Sequence, residues 1–311
     1  MTTLLCVTLT PSLDRYSRLP SLRVGGINRP AEVEIRAGGK GFNVARAARG
    51  LGVPTRVVAV VGGPTGAAVK AHAAGFTVSW VDSGGADTRQ CLCLLDESTG
   101  ALTEVYEPPR AVPATRWPDI HAAVAAALDG AGLVALSGRV PPGLPETALA
   151  DLVRLATVRG VPVVVDADGP ALVAALPHGP DLVKVNDDEA ARAAGVAGGW
   201  AAAAALRARG ARSVVVTAGP EGARYVAHDG RRLSITHPPV PDALPVGSGD
   251  AFLAAFAAAR LGHGPSPAGD LPGALRFAAA AARANARHFT AGDLTTESVR
   301  AELPAVRCAP A

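Results

Sequence analysis

Glu146-Thr147-Ala148-Leu149-Ala150-Asp151-Leu152-Val153-Arg154-Leu155-Ala156-Thr157-Val158-Arg159-Gly160-Val161-Pro162-Val163-Val164-Val165-Asp166 carries two patterns in succession. Leu149, Leu152, Val153 and Ala156 recur at helical spacing, and Gly160 is the expected stop just past the last turn. A valine run then ends at Asp166 with no polar alternation, as a strand buried on both faces requires. The same unit recurs along the chain. Leu4–Thr10, Thr55–Val61, Leu133–Leu136, Leu182–Val185 and Ser213–Thr217 read as further buried strands, and Phe42–Leu51 and Asp250–Leu261 read as helices closed by Gly52 and Gly262. Alternating strands and helices predict a three-layer α/β/α fold around a mostly parallel central sheet. Ligands then belong at the carboxyl ends of the strands.

Two segments leave this rhythm. Asp14 to Arg36 lacks a helical period and reads as extended chain with turns. Thr88–Leu95 alternates, Asp96-Glu97-Ser98-Thr99-Gly100 turns, and Leu102–Tyr106 returns as the second arm of a hairpin. Neither has a crossover helix, so the two are expected to build a small β-sheet over the ligand face. The expected layout is one domain, 1–311, with a core of about 1–13, 37–87 and 108–311 and a discontinuous β lid of about 14–36 and 88–107. A later hairpin, Ala223–Ile235 around Asp229-Gly230, belongs to the core.

The chain has 311 residues, 49% of them apolar, 18% charged, with a formal charge of +3. That composition fits a folded globular enzyme and excludes a disordered chain. The small charge gives no concentrated basic face for nucleic acid. No stretch reaches membrane-spanning length without charges or breakers, and no signal peptide is evident, so the cytoplasm is the expected compartment. Cys6, Cys91, Cys93 and Cys308 make no zinc pattern and read as structural thiols. The histidines are scattered, and none is assigned to catalysis.

Two glycine-rich motifs carry the chemistry. In Pro245-Val246-Gly247-Ser248-Gly249-Asp250-Ala251-Phe252, two glycines open a helix. Their backbone N–H groups and the positive end of the helix form an anion hole. Asp250 beside it can accept a proton from an attacking hydroxyl, or can serve merely as a helix cap. Ala37-Gly38-Gly39-Lys40-Gly41-Phe42-Asn43 is not a Walker loop, because Gly follows Lys40. Its glycines admit a polar ligand close to the backbone, and Asn43 offers both donor and acceptor to sugar hydroxyls.

Taken together, Gly38-Gly39-Lys40-Gly41-x-Asn43 and Gly247-Ser248-Gly249-Asp250 resemble the two signature regions of the ribokinase-like carbohydrate kinases, most of all the phosphofructokinase B branch. The resemblance covers nearly the whole chain in order. It implies a ribokinase-like fold and ATP-dependent phosphoryl transfer to a sugar hydroxyl, with Asp250 as base and the N–H groups of Gly247, Ser248 and Gly249 as anion hole. It implies that Asp14, Gly38, Gly39, Lys40, Asn43 and Ser137 meet the sugar. Arg89, with Arg29, Lys40 or Arg139, would hold a phosphate already on it. Lys184, Asn186, Thr217, Gly219 and Gly222 would line the nucleotide site, and Glu189 would steer Mg²⁺ through water. Asp166 reads as a strand-end turn residue and is left off this set. A homodimer formed through the β lid is expected.

Four positions depart from the branch pattern: Thr10 in place of Asn, Arg139 in place of a small residue, Val185 in place of Pro, and Ala218 in place of Leu. Asp250 and its anion hole are intact, so the departures bear on the substrate more than on the reaction. A phosphorylated ketohexose (fructose 1-phosphate, fructose 6-phosphate or tagatose 6-phosphate) is the favoured acceptor. An unphosphorylated sugar or nucleoside, or a non-catalytic sugar-phosphate-binding regulator, stays open. A nicotinamide-dependent oxidoreductase is disfavoured because the first strand leads into Thr10-Pro11-Ser12 rather than a G-x-G-x-x-G turn.

Overall fold

The computed structural model describes residues 2–265, 267 and 269–311. The strands are β1 (Thr3–Thr8), β2 (Ser12–Leu19), β3 (Glu32–Gly38), β4 (Thr55–Val61), β5 (Thr77–Asp82), β6 (Arg89–Asp96), β7 (Leu102–Tyr106), β8 (Ala131–Ser137), β9 (Val163–Asp166), β10 (Leu182–Asn186), β11 (Val214–Thr217), β12 (Ala223–Val226), β13 (Arg232–Thr236) and β14 (Arg307–Pro310). The α-helices are α1 (Lys40–Gly50), α2 (Gly63–His72), α3 (Trp117–Ala127), α4 (Ala148–Val158), α5 (Gly169–Ala175), α6 (Asp187–Ala194), α7 (Gly199–Ala208), α8 (Ser248–Arg260), α9 (Leu271–Asn285) and α10 (Thr296–Glu302).

The large sheet runs β14-β13-β12-β11-β10-β9-β8-β1-β4-β5. From β11 to β5 every pairing is parallel, and β12, β13 and β14 extend one edge antiparallel. Period-two alternation explains its two cores. Leu4 and Cys6 of β1 join Val57 and Ala59 of β4 on the face covered by α1, α2, α8, α9 and α10, while Leu5, Val7, Val58 and Val60 face α3 to α7. Both faces are dry, which is why the strands read as continuous apolar runs.

The second sheet runs β3-β2-β6-β7, with β2 and β6 parallel and the other pairs antiparallel. It rests on the loop before α8 through a small apolar cluster of Tyr16, Cys93, Leu95, Val246, Phe289 and Ala291. Tyr16 meets Phe289 edge-on, with ring centroids 5.5 Å apart. Cys6, Cys91 and Cys93 are buried free thiols, and Cys308 is a half-buried one. No helix among the described residues is long and apolar enough to cross a membrane.

Helix starts differ from the sequence expectation in one consequential place. The α8 helix begins at Ser248 rather than Asp250, with Gly247 as its cap at φ 72°. Left-handed backbone at the cap is what glycine allows at no steric cost. A methyl at Gly247 would also drive into Ala291. Most of α8 is buried, including Phe252 and Phe256, because it is sandwiched between α1 and α9. A helix apolar on all sides is held rigidly, and it carries Asp250 in its first turn.

Candidate active site

Functional side chains converge because the parallel strands end together. Thr10 follows β1, Arg139 follows β8, Asp166 closes β9, Asn186 closes β10 and Thr217 closes β11. Facing these ends are the N-termini of α1 and α8. The two are tied by one hydrogen bond: Asn43 Nδ2 donates to Asp250 Oδ2 at 2.9 Å, across 207 positions of sequence.

Asp250 is only 6% exposed. Burial pushes its carboxyl up to about 6, and the nearby negative charge of Asp166 pushes the same way, against Lys40, Asn43 and Lys184. A base poised there is ionised at neutral pH yet holds a proton more tightly than a free carboxylate. Asp166 is wholly buried. Lys40 Nζ lies 2.6 Å from its Oδ1 and Lys184 Nζ 2.8 Å from its Oδ2. Desolvation alone would raise Asp166, but the two ammonium groups outweigh it and hold the carboxyl below the usual range. Lys40 is likewise held charged against its desolvation by Asp166, Glu189 and Asp250.

The N–H groups of the first turn of α8 divide unevenly. That of Ser248 is taken by the Pro245 carbonyl at 3.0 Å, so Ser248 does not offer the anion-hole donor the sequence suggested. The N–H groups of Gly247, Gly249 and Asp250 have no acceptor among the described residues. These three free donors stand at the helix N-terminus, a position suited to an anion.

Two cavities meet at this point. One, of 570 Å³, lies under the small sheet and is lined by Asp14, Gly39, Lys40, Asn43, Arg89 and Arg139 among others, with Asp250 in its floor. The second, of 610 Å³, lies beside the late hairpin and is lined by Thr217, Gly219, Gly222, Ser248, Phe252 and Arg283 among others. Lys184, Asn186 and Gly249 belong to both. Gly249 leaves the space in which the Lys184 ammonium lies, because a Cβ there would overlap Nζ. With Nζ already pinned on Asp166, Gly249→Ala is expected to displace it. Turnover should drop about tenfold or more, and the melting temperature should fall as the buried Lys184–Asp166 pair is strained, as steady-state kinetics beside a thermal melt would show.

Several residues sit where the sequence reading did not put them. Arg29 stands exposed on the β2–β3 loop, which Asn28 folds onto itself by bonding Arg23 N–H and C=O at 2.8 and 2.9 Å, and it lines neither cavity. The Lys40 ammonium lines the cavity but is engaged by Asp166, with Glu189 Oε1 3.8 Å away. Gly38 lies against the Asp14 carboxylate and Ser137 is buried behind Gly138, so both shape the cavity without lining it. Arg139 reaches Asp168 in a forked pair at 3.3 and 3.0 Å. Asp14 is buried and accepts from Ser12 Oγ at 2.6 Å. Burial raises its carboxyl, opposed by Ser12, Arg46 and Arg89.

Asp166 is the residue that the motifs missed. Asp166-Ala167-Asp168-Gly169 looks like a turn. The one available signal was a carboxylate closing an otherwise all-valine strand, where only a charged partner could offset its burial.

Asn186 and Glu189 form a capping box on α6. Asn186 Oδ1 accepts from Glu189 N–H at 2.8 Å, and Glu189 Oε2 accepts from Asn186 N–H at 2.9 Å. Among the described residues, no three acidic, His or Cys side chains gather into a metal cage. The remaining Glu189 oxygen and the junction's oxygen-only donors suit a Mg²⁺ that keeps its waters and is bound chiefly by phosphates.

A buried carboxylate beside free N–H groups, at the seam of two cavities, suits phosphoryl transfer to a hydroxyl. The pfkB family carbohydrate kinase profile matches residues 1–297. A 1-phosphofructokinase of Xanthomonas campestris pv. campestris is 33% identical, covering 96% of each chain. Phosphofructokinase-2 of Escherichia coli in complex with fructose-6-phosphate superposes with a TM-score of 0.84 at 28% identity, over 98% of this chain and 99% of that one. The ribokinase of Arabidopsis thaliana, complexed with ribose and ATP, shares the fold with a TM-score of 0.71 at 23% identity, over 97% and 99% of the two chains. The chain belongs to the pfkB family of carbohydrate kinases. It is an ATP-dependent sugar kinase of the sugar-phosphate type, on a ribokinase-like fold.

Proposed function

We propose that the enzyme transfers the γ-phosphate of ATP to a hydroxyl of a phosphorylated ketohexose, with fructose 1-phosphate as the first candidate. The observation that carries the phosphorylated acceptor is Arg89. It lines the cavity that contains Asp250, and its buried Nε has no acceptor among the described residues. Its other nitrogens reach only the carbonyls of Glu107 and Thr10, at 3.2 and 3.4 Å. A buried guanidinium N–H without a partner is costly, and a substrate phosphate is its natural acceptor. The 33% identical 1-phosphofructokinase supports the choice of sugar.

In this reading Asp14 and Asn43 orient the sugar, and Asp250 accepts the proton of the attacking hydroxyl. The N–H groups of Gly247, Gly249 and Asp250 stabilise the phosphoryl group in flight. Lys184, anchored on Asp166, stands between donor and acceptor cavities, while Thr217, Gly219 and Gly222 hold the nucleotide. Glu189 and Asn186 would hold Mg²⁺ through water, and the ion when bound supplies charge neutralisation of the phosphates. The small sheet serves as a lid that excludes water, a competing acceptor. Its residues include exposed Val33 and Val105 on the face opposite the cavity, with Val24 and Ile27 on the adjoining loop, an apolar surface that supports a homodimer through the lid.

The test is ADP release with Mg²⁺-ATP across fructose 1-phosphate, fructose 6-phosphate, tagatose 6-phosphate and unphosphorylated sugars. One phosphorylated ketohexose should exceed the unphosphorylated sugars in kcat/KM. Arg89→Ala should raise its KM about 10- to 100-fold and leave the KM of ATP in place. A panel in which unphosphorylated sugars react best would overturn the assignment.

A further inference from the structure

The Arg46 side chain lies outside both cavities of the site, one turn beyond Asn43 on α1. Its guanidinium is bracketed by three acceptors. Nη2 donates to the Ala37 carbonyl at 2.6 Å, and Nη1 reaches the Ala291 carbonyl at 3.4 Å and Asn43 Oδ1 at 3.2 Å. It therefore ties the end of β3 and the loop behind Gly247 to the one side chain among the described residues that hydrogen-bonds to Asp250. Its outer face stacks toward Phe76, with Cζ 5.8 Å from the ring centroid.

The donor inventory makes this contact directional. A guanidinium donates only, so the end of the Asn43 amide that meets it must be the oxygen. The nitrogen then faces Asp250, where it donates at 2.9 Å. Asn43 is itself buried, so water cannot readily replace either contact. Without Arg46 the amide is free to turn over. Turned over, it would offer Asp250 an acceptor, which favours the protonated acid rather than the base. We propose that Arg46 is a positioning residue for phosphoryl transfer: it locks the Asn43 amide with its nitrogen toward Asp250 and so keeps the base in its accepting state.

The proposal rests on Asp250 being the base. The charged groups around that base are Asp166 at the end of β9, Lys40 on α1 and Lys184 on β10. The titratable groups around Arg46 are Asp14 and the neutral phenol Tyr16 on β2, Arg36 on β3 and Asp293 in the loop before α10. Loss of Arg46 removes a positive charge near Asp14 as well, so a change in sugar KM is expected. The diagnostic quantity is therefore the acid limb of kcat at saturating sugar, because kcat/KM would also report Asp14; a loss of packing would leave that limb in place.

Arg46→Met keeps the length and removes the donors. It is expected to lower kcat about 10- to 100-fold and to move the acid limb to higher pH. Arg46→Lys, which can still donate to Asn43 Oδ1, should restore the limb and part of the rate. Arg49→Ala, which removes a guanidinium stacked 4.8 Å over the same Phe76 ring, should leave the profile unchanged. In a double-mutant cycle, Arg46→Met should add little to Asn43→Ala. A folded Arg46→Met enzyme with the wild-type acid limb, or effects that add fully to those of Asn43→Ala, would overturn the proposal. If Arg46→Met does not fold, the limb of Arg46→Lys decides, and a shift as large as that of Asn43→Ala would count against the role. Asp250→Asn run in parallel separates the two readings: an inactive Asp250→Asn with a normal Arg46→Met sinks this inference alone.

Discussion

Asp250→Asn is expected to lose about 10²- to 10⁴-fold in kcat while binding ADP as tightly as the parent. The amide keeps the size of the carboxylate and can still accept from Asn43 Nδ2, so the first turn of α8 and its free N–H groups stay in place. What it cannot do is take a proton. Stability should move the other way. The folded Asp250 carboxyl sits at about 6, above its ordinary value of 3.8. The folded state therefore binds the proton more tightly than the unfolded chain does. The cost of holding the ionised form is absent below about pH 4, grows between pH 4 and 6, and is fully present above that. Removing the charge should stabilise the protein by roughly 3 kcal/mol at pH 8 and by nothing at pH 4. Urea unfolding at the two pH values beside steady-state kinetics checks both halves. Turnover near that of the parent would remove Asp250 from the role of base. For the parent, kcat/KM should decline as pH falls through about 6.

Asp166→Asn has the larger expected effect on the fold. The carboxylate is wholly buried between Lys184, 6% exposed, and Lys40, 37% exposed. The better shielded Lys184 dominates, since Lys40 is partly screened by water. An amide in that position leaves a buried ammonium without its counter-charge, at a cost of about 3–5 kcal/mol near neutral pH. The sign with pH is opposite to that of Asp250. The folded carboxyl is held below its ordinary range, so its stabilisation is complete above the unfolded value near 4 and is lost as pH falls further. The gap between parent and variant should accordingly close in strong acid. Catalysis should suffer as well, because Lys184 would lose the anchor that keeps it at the seam of the cavities. The remaining turnover should carry its acid limb to lower pH, since the negative neighbour that raises Asp250 is gone. A variant as stable as the parent at pH 7.5 would refute the ion-pair account.

Strand by strand, the sequence was most legible where burial is two-sided. Leu4 to Thr8 and Thr55 to Val61 had no alternative reading, because nothing but a covered strand tolerates such runs. Thr77–Asp82 went unread as an edge strand: its burial alternates and is mostly partial, so its apolar run is broken by Ser79 and Thr77. Arg307–Pro310 is four residues long, largely exposed, and ends in Pro, so it carries almost no signal. The small sheet could be anticipated from the absence of a helical period, although β2 starts at Ser12 and β3 runs to Gly38, nearer to β1 and α1 than the pattern implied. At the site, the glycine motifs announced themselves, since close backbone approach leaves a compositional mark. Asp166 and Arg46 did not. Asp166 draws its importance from Lys40, 126 positions away, and Arg46 acts on Asn43, whose own partner Asp250 lies 207 positions away; no local pattern records those distances.

The passages between the two sheets have a mechanical consequence. The chain crosses from one to the other at Leu9–Pro11, at Gly39 and near Thr88, and it returns at Glu107–Pro109. Thr10, Gly39, Arg89, Glu107 and Pro109 along these crossings also wall the acceptor cavity. On the proposed function, rocking of the small sheet would pivot on residues that wall the acceptor cavity, and the bound sugar would act as the pin of its own hinge. Any tether that fixes the tilt would thus be felt by the acceptor and leave the nucleotide's grip untouched.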